Sequence, residues 1–201
     1  MTWLFVFLLI SSFLLGLFNA PTWMIFIVFI LFIGGVMYFT LYPILYEKNI
    51  EKILKFLQKS KNAHNQFLFH LYHGNVDKAA KAAKEIKSDQ LQYYAKLALL
   101  NHQNKISEGK VYLANLKNGE YKAYYSAAIA LGEAKHEEYQ ENLAKVKDPL
   151  NRSFLHIEEK IRSGETQQAI NTLESHIKKL RGLKLLSAIQ YKKELEQRKV
   201  G

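Results

Sequence analysis

The first 46 residues contain no Asp, Glu, Lys, Arg or His, whereas the segment that begins at Glu47 contains all five. A stretch this long without one ionisable side chain has little with which to face water, so it belongs inside protein or lipid. Two apolar runs lie within it. Residues 2–18 include Leu4 to Ile10 without a break, and residues 22–46 include Ile25 to Ile33 without one polar side chain. A helix needs roughly 20 apolar residues to cross the hydrocarbon core of a bilayer. The second run exceeds that, and the first reaches it only with its ends at the interfaces. Asn19-Ala20-Pro21-Thr22 breaks the pattern between them, and Pro21 suits a helix start because no N–H is needed there. The expectation is a transmembrane helical hairpin over residues 1–46, with helices about 2–19 and 22–44.

Charge gives the hairpin a direction. No basic residue precedes Glu47, while Lys48, Lys52, Lys55, Lys59 and Lys61 follow it closely. The positive-inside bias assigns the body to the cytoplasm, and two crossings return the N-terminus to the same side. Trp3, Trp23, Tyr42 and Tyr46 fall near the expected interfaces, where amphipathic rings sit. Cleavage as a signal peptide after Ala20 is disfavoured, because a basic n-region is missing and Pro21 would become the first mature residue. The apolar runs hold no ionisable group, so they are not expected to move ions or protons by themselves. Ser12, Gly16, Gly34 and Gly35 would allow close helix approach, although a simple hairpin puts the two pairs at different depths. The expected location is a bacterial plasma membrane, as an integral protein with both termini cytoplasmic.

Residues 47–201 are enough for one domain. With no cysteine, disulfides and thiolate metal sites are excluded, in keeping with a reducing compartment. Ala, Leu, Lys, Glu and Gln dominate, β-branched residues are scattered, and Pro149 is the only proline after Pro43. These are strong helix formers, so the body is expected to be all-α.

The body also carries a period of 30 residues. Gly74, Asn104, Ala134 and Gly164 stand where helical patterns turn. Seven residues before them come Phe67, Leu97, Ala127 and Ile157, and ten before come His64, Tyr94, Tyr124 and Phe154. Five after come Ala79, Gly109, Tyr139 and Ala169; nine after, Ala83, Leu113, Leu143 and Leu173; twelve after, Ile86, Leu116, Val146 and His176. A fixed period of this size marks stacked helix pairs that bury their apolar faces on their neighbours. Gly74-Asn75-Val76-Asp77-Lys78-Ala79 and Gly164-Glu165-Thr166-Gln167-Gln168-Ala169 resemble the turn of the tetratricopeptide repeat family, with its small residue five positions after the Gly. Lys135-His136-Glu137-Glu138-Tyr139 is a weaker version, and the family's own period is 34 residues. The resemblance implies a short α-solenoid of tetratricopeptide-like helix pairs over 63–177; the alternative is an irregular helical bundle. Residues 47–62 are expected to form a basic juxtamembrane helix, with Ile50, Ile53, Leu54 and Leu57 on one side. Residues 178–201 are expected to form a C-terminal basic capping helix, with Leu183, Leu186, Ile189 and Leu195 inward and Lys184, Lys192, Lys193, Arg198 and Lys199 outward.

No nucleotide-binding loop, nucleophile elbow or two-histidine zinc motif is present. His70-x-x-His73 has a spacing that metals accept, but no third ligand is specified nearby. The chain is therefore expected to be no enzyme, with no cofactor and no metal. The net charge of +10 resides in the body and comes from 24 Lys and only 4 Arg. Arg is the better reader of phosphates and bases, so nucleic acid is not the expected partner. The expected function is a membrane-anchored cytoplasmic adaptor or scaffold that binds a protein or peptide, acidic in character. In the tetratricopeptide family the first helix of each pair lines the concave face, which makes Gln92, Lys96, Lys122 and Ser126 the candidate partner contacts. Lys48, Lys52, Lys55, Lys59 and Lys61 are the candidate membrane-surface residues. The alternatives are an accessory subunit of a membrane complex joined through the hairpin, or a basic tether for anionic lipid or nucleic acid. No oligomeric state is specified.

Overall fold

The computed structural model describes residues 2–18 and 21–200, and their side chains except those of Thr2, Leu4 and residues 197–200. Asn19 and Ala20, the middle of the expected break, lie outside the described residues, as do the side chains of Arg198 and Lys199. The described chain is all-helical, with twelve α-helices and no strand.

Helix α1 (Thr2–Leu17) and helix α2 (Thr22–Leu45) pack on each other, with the Phe5 and Phe32 rings 5.4 Å apart. Helix α2 has 24 residues and is long and apolar enough to cross a membrane by length and composition. None of its residues is buried. Helix α1 stops at Leu17, shorter than the expected 2–19, and its 16 residues fall below the roughly 20 needed for a crossing.

Ten helices follow: α3 (Ile50–Lys59), α4 (Ala63–Tyr72), α5 (Val76–Lys84), α6 (Asp89–His102), α7 (Lys110–Ala114), α8 (Glu120–Gly132), α9 (His136–Lys145), α10 (Pro149–Arg162), α11 (Thr166–Ile177) and α12 (Gly182–Val200). A 3-10 turn, Ile106–Gly109, leads into α7. Their starts are written in the sequence. Asn49, Asn62, Asn75 and Asp148 accept first-turn N–H groups at the heads of α3, α4, α5 and α10, and Pro149 opens α10 where no donor is wanted.

Four of the turns share one geometry. Gly74, Asn104, Ala134 and Gly164 have φ of 67°, 58°, 58° and 86°. In each case the next residue donates its N–H five residues back: Asn75 to His70, Lys105 to Leu100, Lys135 to Ala130 and Glu165 to Lys160, at 2.8–2.9 Å. The left-handed residue donates three back, at 3.0–3.2 Å. These are Schellman caps, which satisfy the last carbonyls of one helix while reversing the chain. Glycine enters the left-handed region freely and asparagine tolerates it, but Ala134 does so against its Cβ.

The apolar columns are equally regular. Phe67, Leu97, Ala127 and Ile157 are all buried, as are Ala79, Gly109, Tyr139 and Ala169, which stand twelve residues later. The two columns trade size. Phe67 faces Ala79 in one cluster and Ile157 faces Ala169 in another. A Cβ on Gly109 would lie 2.5 Å from Leu97 Cδ2, so any larger residue there has to displace the side chain of that buried leucine. In the third unit the order reverses: Tyr139 is the large member, packed with Ala123, Ala127 and Ala130 of α8. The Tyr139 hydroxyl donates to Glu159 Oε2 at 3.1 Å, which gives the fully buried ring a polar partner.

Helix α12 departs from the expected end cap. It packs on α11, as a last helix would, but also on α2, α3 and α4. Leu186 joins Ile53 and Leu57 of α3, while Ala188 and Leu195 join Ile157 and Ala169. An end cap buries one face. This helix has apolar residues on opposite sides and is held between the first and last parts of the body.

Two outcomes follow from this packing, each read by denaturant unfolding of the full chain in detergent. Ala127→Leu overfills its site at a cost of about 1–3 kcal/mol, and Tyr139→Ala leaves a cavity costing about 3–5 kcal/mol. The double variant is expected to lose at least about 1 kcal/mol less than their sum; strictly additive losses would refute the size exchange. Separately, Ala134→Gly is expected to raise stability by about 1 kcal/mol by relieving the left-handed alanine, and a decrease would contradict the strain.

Candidate functional site

The first helices of successive pairs line a central cavity of about 250 Å³, and α12 forms its remaining wall. Tyr121, Tyr124 and Tyr125 of α8 face it, with Phe154 and Glu158 of α10, His102 of α6, and Tyr191 and Glu194 of α12. Burial pushes the Tyr125 hydroxyl up, and Tyr124 is pushed up to about 12 by burial and by the nearby Glu158 carboxylate. Both rings are therefore neutral donors at any ordinary pH.

Polar contacts cross the cavity wall at several places. Tyr72 of α4 shares a hydrogen bond with Ser187, and His102 Nδ1 lies 2.8 Å from Glu194 Oε1. The Tyr191 hydroxyl donates to Glu158 Oε2 at 2.7 Å, and its ring meets Phe154 edge to face. At the head of α12, Lys184 Nζ lies 2.6 Å from Asp148 Oδ2, the same side chain that caps α10. Further along, Lys192 Nζ reaches Glu174 of α11 at 2.6 Å.

No lysine is among the residues lining this cavity, whose charged lining is Arg162, Glu158 and Glu194, so Lys96 and Lys122 do not face it. The helical phase of α6 accounts for the difference. Ala98, Asn101 and His102 point inward, and residues at the register of Gln92 and Lys96 point elsewhere. Gln92 donates to the Lys84 carbonyl at 3.2 Å, and Lys96 Nζ sits 5.0 Å from the ring centre of Tyr112 and 5.8 Å from that of Tyr93. These two residues hold α6 to its neighbours.

Lys122 and Ser126 come together elsewhere, in an open depression of about 520 Å³ beside α8 and α9. Asn118, Glu120, Asn142, Lys145 and Lys147 line it with them. Spacing of i and i+4 puts Lys122 and Ser126 on one face of α8. Lys122 Nζ donates to the Leu116 carbonyl at 3.0 Å, which holds it at the rim. The Glu120 carboxylate accepts the N–H groups of Lys147 and Asp148 at 2.8 and 2.9 Å. Its negative charge is directed at backbone, and of the three rim lysines Lys145 is paired with Glu141 at 2.7 Å on the same helix, which leaves Lys122 and Lys147 without a carboxylate partner among the described contacts. Asn142, Lys145 and Lys147 were missed in the sequence because they belong to the second helix of their pair and the turn after it.

Lys48, Lys52, Lys55, Lys59 and Lys61 are all exposed. The apolar side of α3 is buried in the body, with Ile53 and Leu57 fully covered, so only its lysine face is free. Helix α3 does not continue α2, because Glu47, Lys48 and Asn49 break the chain between them. His70 and His73 end up at the tail of α4, where His73 Nδ1 meets the Phe69 carbonyl at 2.9 Å. No group of three or more metal-ligating side chains occurs among the described residues. His64 Nδ1 is buried without a hydrogen-bond partner, and burial lowers that ring's pKa.

No family model, curated protein or solved structure matches the chain.

Asp148 allows a test of how α12 is held. Burial works to raise its carboxyl, but the Lys184 ammonium and the Asn151 and Leu150 N–H groups outweigh it and hold the group below its ordinary 3.8. The folded state therefore binds the proton less readily than the unfolded chain, and the carboxylate stabilises the fold above that value. Asp148→Asn keeps a capping side chain and removes the charge. At neutral pH it is expected to cost about 0.5 kcal/mol, since Lys184 is largely exposed. The difference from the native chain should vanish as pH falls through the folded-state pKa; a difference independent of pH would exclude the ion pair as its cause.

Proposed function

We propose that this chain is a membrane-anchored adaptor. In this reading α1 and α2 form a hairpin in the bilayer, and the body is a short stack of tetratricopeptide-like helix pairs on the cytoplasmic side. The four Schellman turns at 30-residue spacing and the paired size-exchanging columns support the stacked-pair architecture. The length and exposed apolar surface of α2 support the anchor.

The partner surface is the depression beside α8 and α9, and its three rim lysines are the observation that carries the assignment. The inner cavity is walled by the chain's own α12, whereas this depression is open to solvent. Lys122, Lys145 and Lys147 favour an acidic segment or a free carboxylate, and Ser126 and Asn142 supply neutral hydrogen-bonding groups. The charge is lysine rather than arginine, which suits a mobile electrostatic contact more than a planar bidentate one.

A second reading has a specific observation behind it. A Cβ on Gly16 or Gly34 would meet nothing within 4 Å, and Trp3, Leu9 and Ile30 are widely exposed. Gly16 of α1 and Gly34 of α2 are thus unused within the chain, which fits an accessory subunit joined to other membrane helices through this hairpin.

The test places a photo-crosslinking residue at Ser126 in the full chain, in native membranes, with a control probe at the exposed Val111. The Ser126 probe is expected to capture a discrete protein that the control does not. Lys122→Glu combined with Lys145→Glu should reduce capture by about tenfold or more. Capture unaffected by the double charge reversal would remove this depression as the partner site. A protein captured only through probes in α1 or α2 would favour the accessory-subunit reading.

A further inference from the structure

The head of α12 is docked on the tail of α2. The Gly182 N–H donates to the Glu47 carbonyl at 2.7 Å, joining residues far apart in the chain. A Cβ on Gly182 would lie 1.9 Å from the Ile44 carbonyl oxygen and 2.8 Å from the Leu45 carbonyl carbon. Backbone meets backbone there, and Gly182 also has a left-handed φ of 57°. Only glycine satisfies both conditions.

This contact brings a second basic segment to the place where the apolar helix ends. Lys178, Lys179 and Arg181 immediately precede Gly182, and all three are exposed. Lys48 and Lys52, also exposed, follow the end of α2 directly. Neighbouring carboxylates are largely engaged. Glu47 accepts the N–H groups of Lys48 and Asn49 at 2.9 Å, with Lys52 Nζ 3.9 Å away. Asp148 is bonded to Lys184, and Glu174 to Lys192. Glu51 and Glu174 are the exposed carboxylates of this neighbourhood, Glu174 being engaged by Lys192, so Lys48, Lys178, Lys179 and Arg181 outnumber the carboxylates left to meet them.

The level of this patch is marked independently. Tyr38 and Tyr42 on the last two turns of α2, and Tyr46 just past its end, have successive ring centres 5.0 and 6.2 Å apart, and all are exposed. Exposed tyrosines at the end of an apolar helix belong at the headgroup level of a bilayer. Gly182 meets the backbone of Ile44 and Leu45, between Tyr42 and Tyr46. Arg181, the residue before Gly182, thus stands near the same height, with Lys178 and Lys179 in the turn that leads to it.

We propose that Lys178, Lys179 and Arg181, held beside Lys48 and Lys52 by the Gly182 contact, form a surface that binds the headgroups of anionic membrane lipids. The proposal rests on the reading of α2 as a membrane helix. Its consequence is orientation: the body is tied to the bilayer at two points of its sequence, so it does not swing freely about the 46–49 link.

The test reconstitutes the full chain in phosphatidylcholine bilayers with and without phosphatidylglycerol, and measures by native mass spectrometry which lipid stays bound on release. The native chain is expected to retain phosphatidylglycerol over phosphatidylcholine by at least roughly fivefold. Lys178→Gln, Lys179→Gln and Arg181→Gln together should abolish that preference. Lys81→Gln, Lys84→Gln and Lys87→Gln remove three exposed lysines on and just after α5, and should leave it intact. Equal retention of the two lipids by the native chain would overturn the proposal, and so would equal losses in both triple variants. A chain that enters neither bilayer would fail earlier, at the membrane reading itself, and take the proposal with it.

Discussion

The rest of the structure depends on the seating of α12. Its head is fixed by the Gly182 contact with the end of α2, its middle by Leu186 against Ile53 and Leu57, and its tail by Leu195 against Ile157 and Ala169. Between those apolar anchors lie hydrogen bonds and ion pairs to α4, α6, α10 and α11. No other helix reaches so many elements distant in sequence. The apolar contacts supply most of the free energy, since a fully buried leucine or isoleucine is worth roughly 1.5–3 kcal/mol, against about 1 kcal/mol for a typical hydrogen bond. The polar contacts select one register for the helix.

The rest of the body is built from local contacts. Four of the turns close on themselves through Schellman caps, and the helices they join bury a large residue against a small one. Interiors packed to the density of organic crystals tolerate this exchange because the sum of volumes is what must be kept. Tyr139 with Ala127 fills the same role as Phe67 with Ala79. The pairs could each be formed nearly independently of the others, and α12 is what closes their array.

These two kinds of contact differ in how well the sequence discloses them. All-helical structure follows from composition, and the turn positions follow from Gly74, Gly164 and Asn104, since few residues accept a left-handed φ. The buried columns follow from period alone. The place of α12 does not. Ser187, Gln190, Tyr191 and Glu194 have the composition of a solvent-facing stripe, and they face inward only because Tyr72, His102 and Glu158 meet them there. A polar residue buried by a partner distant in sequence has no local signature. The candidate contacts divided for a related reason: Lys122 and Ser126 lie together on an open surface, while Gln92 and Lys96, chosen by the same rule, serve the packing of α6. The rule identified residues outside the apolar columns, and it had no means of saying which side of the helix remained open.

Under the proposed membrane reading, the joining of α12 to α2 changes what an anchor does for the body. A flexible link raises the local concentration of a binding site near the bilayer and leaves its direction free. Here the link, residues 46–49, is four residues long, and a backbone contact at Gly182 bridges it from the other side. The depression lined by Lys122, Lys145 and Lys147 therefore keeps a set direction relative to α2. An acidic segment would meet it without the search over orientations that a free tether requires, and would also have to approach past the basic residues at the end of α2. Under the proposed adaptor function, both effects favour partners that are themselves held at the membrane. One glycine, through the helix it admits, thereby sets how the proposed site faces α2.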